Sequence, residues 1–275
     1  MSSDASDARE MSDHANKTDP TLFDKAAGVA TITLNMADRK NTLSNELVTS
    51  LGRDLESAFD DPEVRVVVLT NSGNTFCAGA DLKATDPGVP RAKDGTDHLT
   101  FVDIFNLILD GPKPVVGKIN GHATGGGVGL VAVCDISVMR DDSKIGFTEV
   151  RLGVAPAVIS VVCLPKMRTA DAMELFLTGE RFTPAKAAEV GLINRSVSAT
   201  ELDSVVEDLV GMISKGGPNA LRAAKGIVRR VPTMDRHHAF ETMMVESQAL
   251  FRSAEAVDGI AAFRNREPAP WVPSD

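Results

Sequence analysis

Several things are scarce in this chain, and each scarcity narrows what it does. There are only three cysteines, Cys77, Cys134 and Cys163, and no two of them form a CxxC pair. All three sit among apolar neighbours, which argues against a disulfide framework or a zinc site and for a reducing cytoplasm. Cys77, beside a glycine turn, reads either as a reactive thiol or, more in keeping with its neighbours, as a small buried apolar residue. No apolar run approaches the roughly 18 residues that a membrane span needs. Basic residues are outnumbered, 29 Lys and Arg against 38 Asp and Glu, for a formal charge of −9. Such a balance argues against nonspecific binding to nucleic acid or a membrane surface, although a local pocket can still be polarised against it. The opening MSSDASDAREMSDHANKTDP has five acids, two bases and no hydrophobic stretch. It reads as a disordered tail over 1–20, neither a secretory signal nor an Arg-rich transit peptide.

What remains is ordinary globular material: 275 residues, 43% hydrophobic and 24% charged. That is enough for one large domain, or one domain with a smaller appendage. VATITLN (29–35) alternates as a half-buried strand does, and VRVVVLT (64–70) and PVVGKIN (114–120) read as strands buried on both faces. Ser44 precedes Leu47, Leu51, Leu55 and Phe59, a four-residue spacing that predicts a helix with Ser44 as its N-cap. DISVMRD and KIGF look like two further short strands. The theme of strand, turn, strand and helix recurs at intervals of roughly 50 residues, which suggests stacked ββα units. The remainder is mostly helical. Thr183-Pro184 opens one helix that Gly191 closes. LDSVVEDLVGMI, ALRAAKGIVRRV and HAFETMMVESQALF follow as amphipathic helices, the last two weakly anchored on their own. Arg222, Lys225, Arg229 and Arg230 share one face of a late helix, read here as solvated.

Two glycine-rich turns follow buried strands: FCAGADLK (76–83) and GHATGGGVG (121–129). Each leaves backbone N–H groups free at a strand end, the second at a helix N-terminus where the macrodipole favours negative charge. Aimed at one point, two such donors make an oxyanion hole. Dinucleotide binding fails on spacing, since GGGVGL is not GxGxxG and Asp135 is too near to be a ribose ligand; no GK[ST] follows, so it is not a phosphate loop either. A GGG by itself is more often a tight packing turn; the second, similar loop is what favours a site. A third segment, FTEVRLGVAPAVIS (147–160), supplies Glu149 between a short strand and a turn, flanked by Phe147, Val150 and Leu152. Apolar surroundings raise a carboxylate's pKa toward the range useful for proton transfer, whereas an exposed glutamate at a strand end has no such role. The residues leave both readings open.

ITLNMADRKNTLS (32–44), VVLTNSGNTFCAGADLK (67–83), INGHATGGGVGLVAVCDI (119–136), FTEVRLGVAP (147–156), TGERFTPAKAAEVGLIN (178–194) and DGIAAFRNREP (258–268) together resemble the enoyl-CoA hydratase/isomerase (crotonase) family, in order and spacing over about residues 25–270. The resemblance implies an α/β fold: a crotonase-like spiral of ββα repeats over 21–200, which carries the CoA and catalytic site, and a helical C-terminal trimerisation region over 201–275. It implies an acyl-CoA thioester as substrate, no cofactor beyond that CoA, and a homotrimer or dimer of trimers. It also implies that the enolate oxygen is held by the backbone N–H groups of Ala80 and Gly126. Ala37, Lys40, Ala78, Asp81 and Leu82 match positions along the CoA and acyl path, and Lys40 and Lys83 match phosphate neighbours. An RNA-binding property of one branch rests on a lysine-rich first helix and is not carried over, because SNELVTSLGRDLESAFDD has five acids and one base.

One position departs from the pattern. The best-known hydratases hold water between two glutamates; Glu149 matches the second, but the first falls on Gly129. Loss of a general base ordinarily costs a factor of ~10²–10⁴. Three readings follow. GGGVGLVA with EVRLGVAPAVIS resembles a branch that hydrates 3-methylglutaconyl-CoA, with substrates branched at the β-carbon and usually carrying a second carboxylate, beside which Gly129 would free volume. A double-bond isomerase would need only the single carboxylate. A noncatalytic acyl-CoA-binding relative would need neither, but retention of Glu149 and both glycine loops speaks against it. The branched-substrate hydratase is favoured, because its resemblance spans two adjoining motifs.

Overall fold

A computed structural model describes residues 19–82 and 99–272. The tail expected over 1–20 lies almost wholly outside the described residues, and so does Lys83.

Among the described residues nine strands form two sheets: β1 (Thr21–Ala26), β2 (Val29–Leu34), β3 (Val66–Asn71), β5 (Val115–Ile119), β7 (Ile136–Arg140) and β9 (Arg195–Val197) make the larger, in that order, while β4 (Thr75–Cys77), β6 (His122–Thr124) and β8 (Ile145–Gly146) make the smaller. Only the β1–β2 hairpin is antiparallel; every other pair of strands is parallel. Each turn of the chain thus gives one strand to the large sheet and the next to the small one. A helix follows: α2 (Phe101–Asp110), α3 (Gly126–Val133) or α4 (Ala157–Cys163). The expected ββα theme is present, but its period is not regular. β3 and β5 start 49 residues apart, β5 and β7 only 21, because the longer first unit includes residues 78–100 between β4 and α2.

Buried-strand runs behave as their composition predicts. In β3, Val67 and Leu69 join the main core while Val66 and Val68 face a second cluster beneath α7 (Leu202–Ser214). The helix over Asn45–Asp60, α1, buries Leu47, Leu51 and Leu55 completely, and Ser44 Oγ accepts from the Leu47 N–H at 3.3 Å, the cap read from the sequence. α3 is apolar all round and buried, as a helix threaded through a core must be. α5 (Thr169–Thr178) and α6 (Pro184–Glu189) lead back to β9, and the Thr183 hydroxyl caps α6 as expected.

Beyond α7 the chain is helical: α8 (Pro218–Arg230), α9 (Arg236–Phe251) and α10 (Ala254–Asn265). Neither α8 nor α9 has a residue buried as a whole, backbone and side chain together. Val228 in α8 is 73% and Phe240 in α9 70% exposed, in keeping with the weak anchoring read from their sequences. The basic face of α8 is a correction. Lys225 and Arg229 are not a solvated pair: Lys225 Nζ lies 3.0 Å and Arg229 Nη2 2.6 Å from the Asp135 carboxylate, just past α3. Lys225, only 7% exposed, also donates to the carbonyls of Ile108 and Lys113 at 2.7 and 3.0 Å. A buried ammonium persists where a carboxylate and carbonyls offset its desolvation, and Asp135, Ile108 and Lys113 do so for Lys225. The two cations fasten α8 to the core. Among the described residues no helix is long and apolar enough to cross a membrane.

Candidate active site

The two glycine loops meet. Leu43 N–H donates to Gly79 O at 2.8 Å and Ala78 N–H to Lys40 O at 3.1 Å, so the 40–43 segment is laced to the loop after β4. Gly79 holds φ +86°, and a Cβ there would come within 2.9 Å of Gly126 N and 2.8 Å of Thr124 O. No side chain fits, which is why the chain has glycine there. Gly127 answers a different demand, because a Cβ on it would lie 2.1 Å from the Cys77 carbonyl oxygen. The result is that Ala80 N and Gly126 N stand side by side at the mouth of α3, Ala80 N 3.7 Å from the Cβ direction of Gly126. Neither N–H donates to a backbone carbonyl among the described residues.

Glu149 opens a 3₁₀ turn (Glu149–Leu152) immediately after β8. Its Oε1 passes 3.6 Å from the Cβ direction of Gly125, whose φ is +55°, and its Oε2 is buried without a hydrogen-bond partner. Burial pushes the carboxyl's pKa above the ordinary glutamate range, opposed by its own backbone N–H. An orphaned buried carboxylate oxygen is costly for folding and useful for moving protons. Of the flanking residues expected to shield it, Phe147 is fully buried, but Leu152 is largely exposed.

Around these groups lies a cavity of about 730 Å³, of the size that takes a small-molecule ligand. Lys40, Ala78, Ala80, Leu82, Gly126 and Glu149 are in its wall, six of the residues singled out from the sequence. Ala37 and Asp81 are not, and Asp81 instead pairs with Arg39 at 3.4 Å. Among the described residues Glu149 is the sole acid in the wall. The expectation for Gly129 needs correction. It does not leave open volume beside a substrate: a Cβ at 129 would stand 2.6 Å from Ile159 Cγ2 and 2.7 Å from Phe105 Cζ. The space that a first glutamate would use is filled by the protein's own apolar side chains, and of these Ile159 faces the cavity. Cys77 is buried and its thiol pushed up to about 12, the inert packing residue rather than a nucleophile.

Sequence reasoning missed two parts of this arrangement. Asn41, fully buried, accepts from Met36 N–H at 2.7 Å and donates to Thr75 O at 2.7 Å and Ser72 O at 3.2 Å, clamping the turn that carries Lys40 onto β4. Its φ of +50° is the available signal, since asparagine tolerates that conformation. The other part is His122 and Arg181, which reach the cavity from β6 and from beside β8. Nothing local in the sequence distinguishes them from surface residues.

Two backbone donors beside a half-buried carboxyl with one orphaned oxygen suit the transfer of a proton next to a carbonyl whose oxygen gains charge. The comparisons agree with that class. A family model described as enoyl-CoA hydratase/isomerase matches residues 24–273, and the chain belongs to that family. A Thermus thermophilus protein provisionally named an enoyl-CoA hydratase is 33% identical over 245 residues, 87% of this chain and 96% of the relative. The carnitinyl-CoA dehydratase of Proteus mirabilis is 33% identical over 241 residues, covering 85% and 91%. The crystal structure of an enoyl-CoA hydratase from Mycobacterium smegmatis superposes with a TM-score of 0.82 at 29% identity, covering 92% of this chain and 98% of that one.

Proposed function

We propose that this protein is a hydratase that adds water across the α,β double bond of an acyl-CoA thioester branched at the β-carbon, such as 3-methylglutaconyl-CoA. The observation that carries the reading is the pairing of one half-buried carboxylate with an orphaned oxygen, Glu149, with an apolar filling at the place of a second. The thioester oxygen sits between Ala80 N–H and Gly126 N–H. Glu149 takes a proton from water as the hydroxyl oxygen bonds to the β-carbon, and the electron pair of the double bond moves onto the thioester oxygen. The same carboxyl then returns its proton to the α-carbon, and the enolate collapses to the saturated thioester. One group does both transfers, so no second glutamate is required. Relatives named hydratase and dehydratase support a reaction in which water is added or removed.

The same geometry favours one competitor. A Δ3,Δ2-enoyl-CoA isomerase needs a single carboxyl to lift a proton from one carbon and set it on another, with no water held. Side-by-side assays of 3-methylglutaconyl-CoA, crotonyl-CoA and a 3-enoyl-CoA separate the two. Water addition to the branched diacid, lost in Glu149→Gln by ~10²–10⁴-fold, is the expected result. Double-bond migration without water addition would replace the hydratase by the isomerase.

The reading includes a place in leucine breakdown, a cytoplasmic location in keeping with three unpaired cysteines, and no cofactor beyond the substrate's CoA. It also includes a trimer or dimer of trimers. The exposed apolar side chains of α9 and α10, among them Met244, Val245 and Phe263, support burial against other copies.

A further inference from the structure

Alternation along the small sheet sorts its residues by face. Phe76, Ala123, Ile145 and Phe182 are buried in the core, whereas His122 and Thr124 line the cavity. The Ile145–Phe182 bridge brings Arg181 to the edge of β8, opposite Gly146. A Cβ at 146 would stand 3.2 Å from Arg181 Cγ and 3.1 Å from its Cα, so the glycine lets the arginine stem lie against the strand and reach the cavity wall. His122 stands one strand over, its Nδ1 accepting from Lys144 N–H at 2.9 Å, which leaves Nε2 as the donor.

Neither Arg181 nor His122 has a carboxylate partner among the described residues. The acids that could neutralise them are committed elsewhere: Glu180 pairs with Arg151, and Asp142 is held by Arg140 at 2.5 Å. Among the described residues the wall carries Arg181 and Lys40 against a single acid, Glu149, which polarises it for an anion despite the chain's net charge of −9. A planar guanidinium is also the side chain best shaped to take a carboxylate with two hydrogen bonds.

The geometry points to Arg181, helped by His122, as the residue that receives a carboxylate at the far end of the acyl group. The substrate class is then the mono-CoA thioester of an unsaturated dicarboxylic acid. An acyl chain ending in a quaternary ammonium would be repelled. This rests on the reading of the cavity as an acyl-CoA site. The CoA phosphates are the other anions present, and Lys40, which matches a phosphate neighbour, lies outside the small sheet.

The test is direct binding, by calorimetry, of two unreactive thioesters that differ only at the acyl end, glutaryl-CoA and pentanoyl-CoA. Wild type is expected to prefer glutaryl-CoA by about 10- to 100-fold, the range of a charge-assisted hydrogen bond. In Arg181→Gln the ratio of the two affinities should fall to near one, and Arg181→Lys should recover part of it. His122→Gln, expected to reduce the ratio less, serves as the second variant should Arg181→Gln not fold. A preference unaltered in the variants, or affinity for both thioesters falling by the same factor, overturns the assignment; the second result would give Arg181 to the CoA phosphates. Turnover tells this inference from the function it rests on. A wild type that prefers glutaryl-CoA yet hydrates nothing sinks the hydratase and upholds the carboxylate site, and one that hydrates without the preference does the reverse.

Discussion

Two walls of one cavity were built by opposite means. On one side stand Glu149, Ala80 N–H and Gly126 N–H, polar groups brought into the interior without partners of their own. On the other, over Gly129, Phe105 and Ile159 close the space with well-packed hydrocarbon. The first wall departs from what folding favours, because desolvated polar groups cost free energy. The second follows it. The contrast separates the groups on which the proposed chemistry rests from those that packing alone accounts for.

Substitutions in both walls test that contrast. The largest effect is expected from Gly79→Ala. Position 79 has φ +86°, and the added methyl would meet Thr124 O and Gly126 N at 2.8 and 2.9 Å. It must displace one of the two donors, and loss of such a donor costs about 10²–10³ in turnover. Steady-state kinetics that showed less than a tenfold loss would mean that these N–H groups do not hold the reacting oxygen. Gly129→Ala probes the apolar wall and should act on stability first. Overpacking costs roughly 1–3 kcal/mol, partly offset by the ~1 kcal/mol that alanine gains over glycine in a helix. A Tm lower by roughly 2–6 °C is expected, and Ile159→Ala in the same chain should recover part of it. Strict additivity of the two changes would show that position 129 is not packed as described. Gly129→Glu should lose more stability and not speed hydration, because its side chain enters occupied space.

The smallest effect has an informative sign. Burial raises the folded-state pKa of Glu149 above its unfolded value. The folded state therefore holds the proton more tightly, and ionisation at Glu149 costs stability as pH rises from the ordinary glutamate range through the raised value. Above that window the cost is fully present, and below the ordinary range it is absent. Glu149→Gln should thus melt at or above the wild-type temperature near neutral pH, with the difference shrinking toward pH 4. Activity should show the mirror image: kcat/KM rising with pH through the raised pKa, since only the ionised carboxyl accepts water's proton. A clearly lower Tm for the variant would mean that Glu149 has a structural partner.

Much of this was legible in one dimension because it depends on local rules. Buried strands announce themselves by β-branched runs, and Ser44 by its place before a four-residue periodicity. Glycines 79, 125 and 127 mark where backbone must turn left-handed or touch backbone. The motif order placed Glu149, Ala80 and Gly126 in one site, and all three do line one cavity. The rest was not legible, because it depends on residues distant in sequence. Position 129 looks empty in the chain and is full in the fold, since Phe105 and Ile159 arrive from α2 and α4. Lys225 and Arg229 of α8 look solvated and are paired, because their partner Asp135 lies 90 residues upstream of Lys225. Arg181 and His122 become neighbours of the cavity only when the small sheet forms. Period and turn chemistry are properties of the chain itself. Which side chain fills a space, and which charge finds a partner, is decided by packing at close distance, and that exists only in three dimensions.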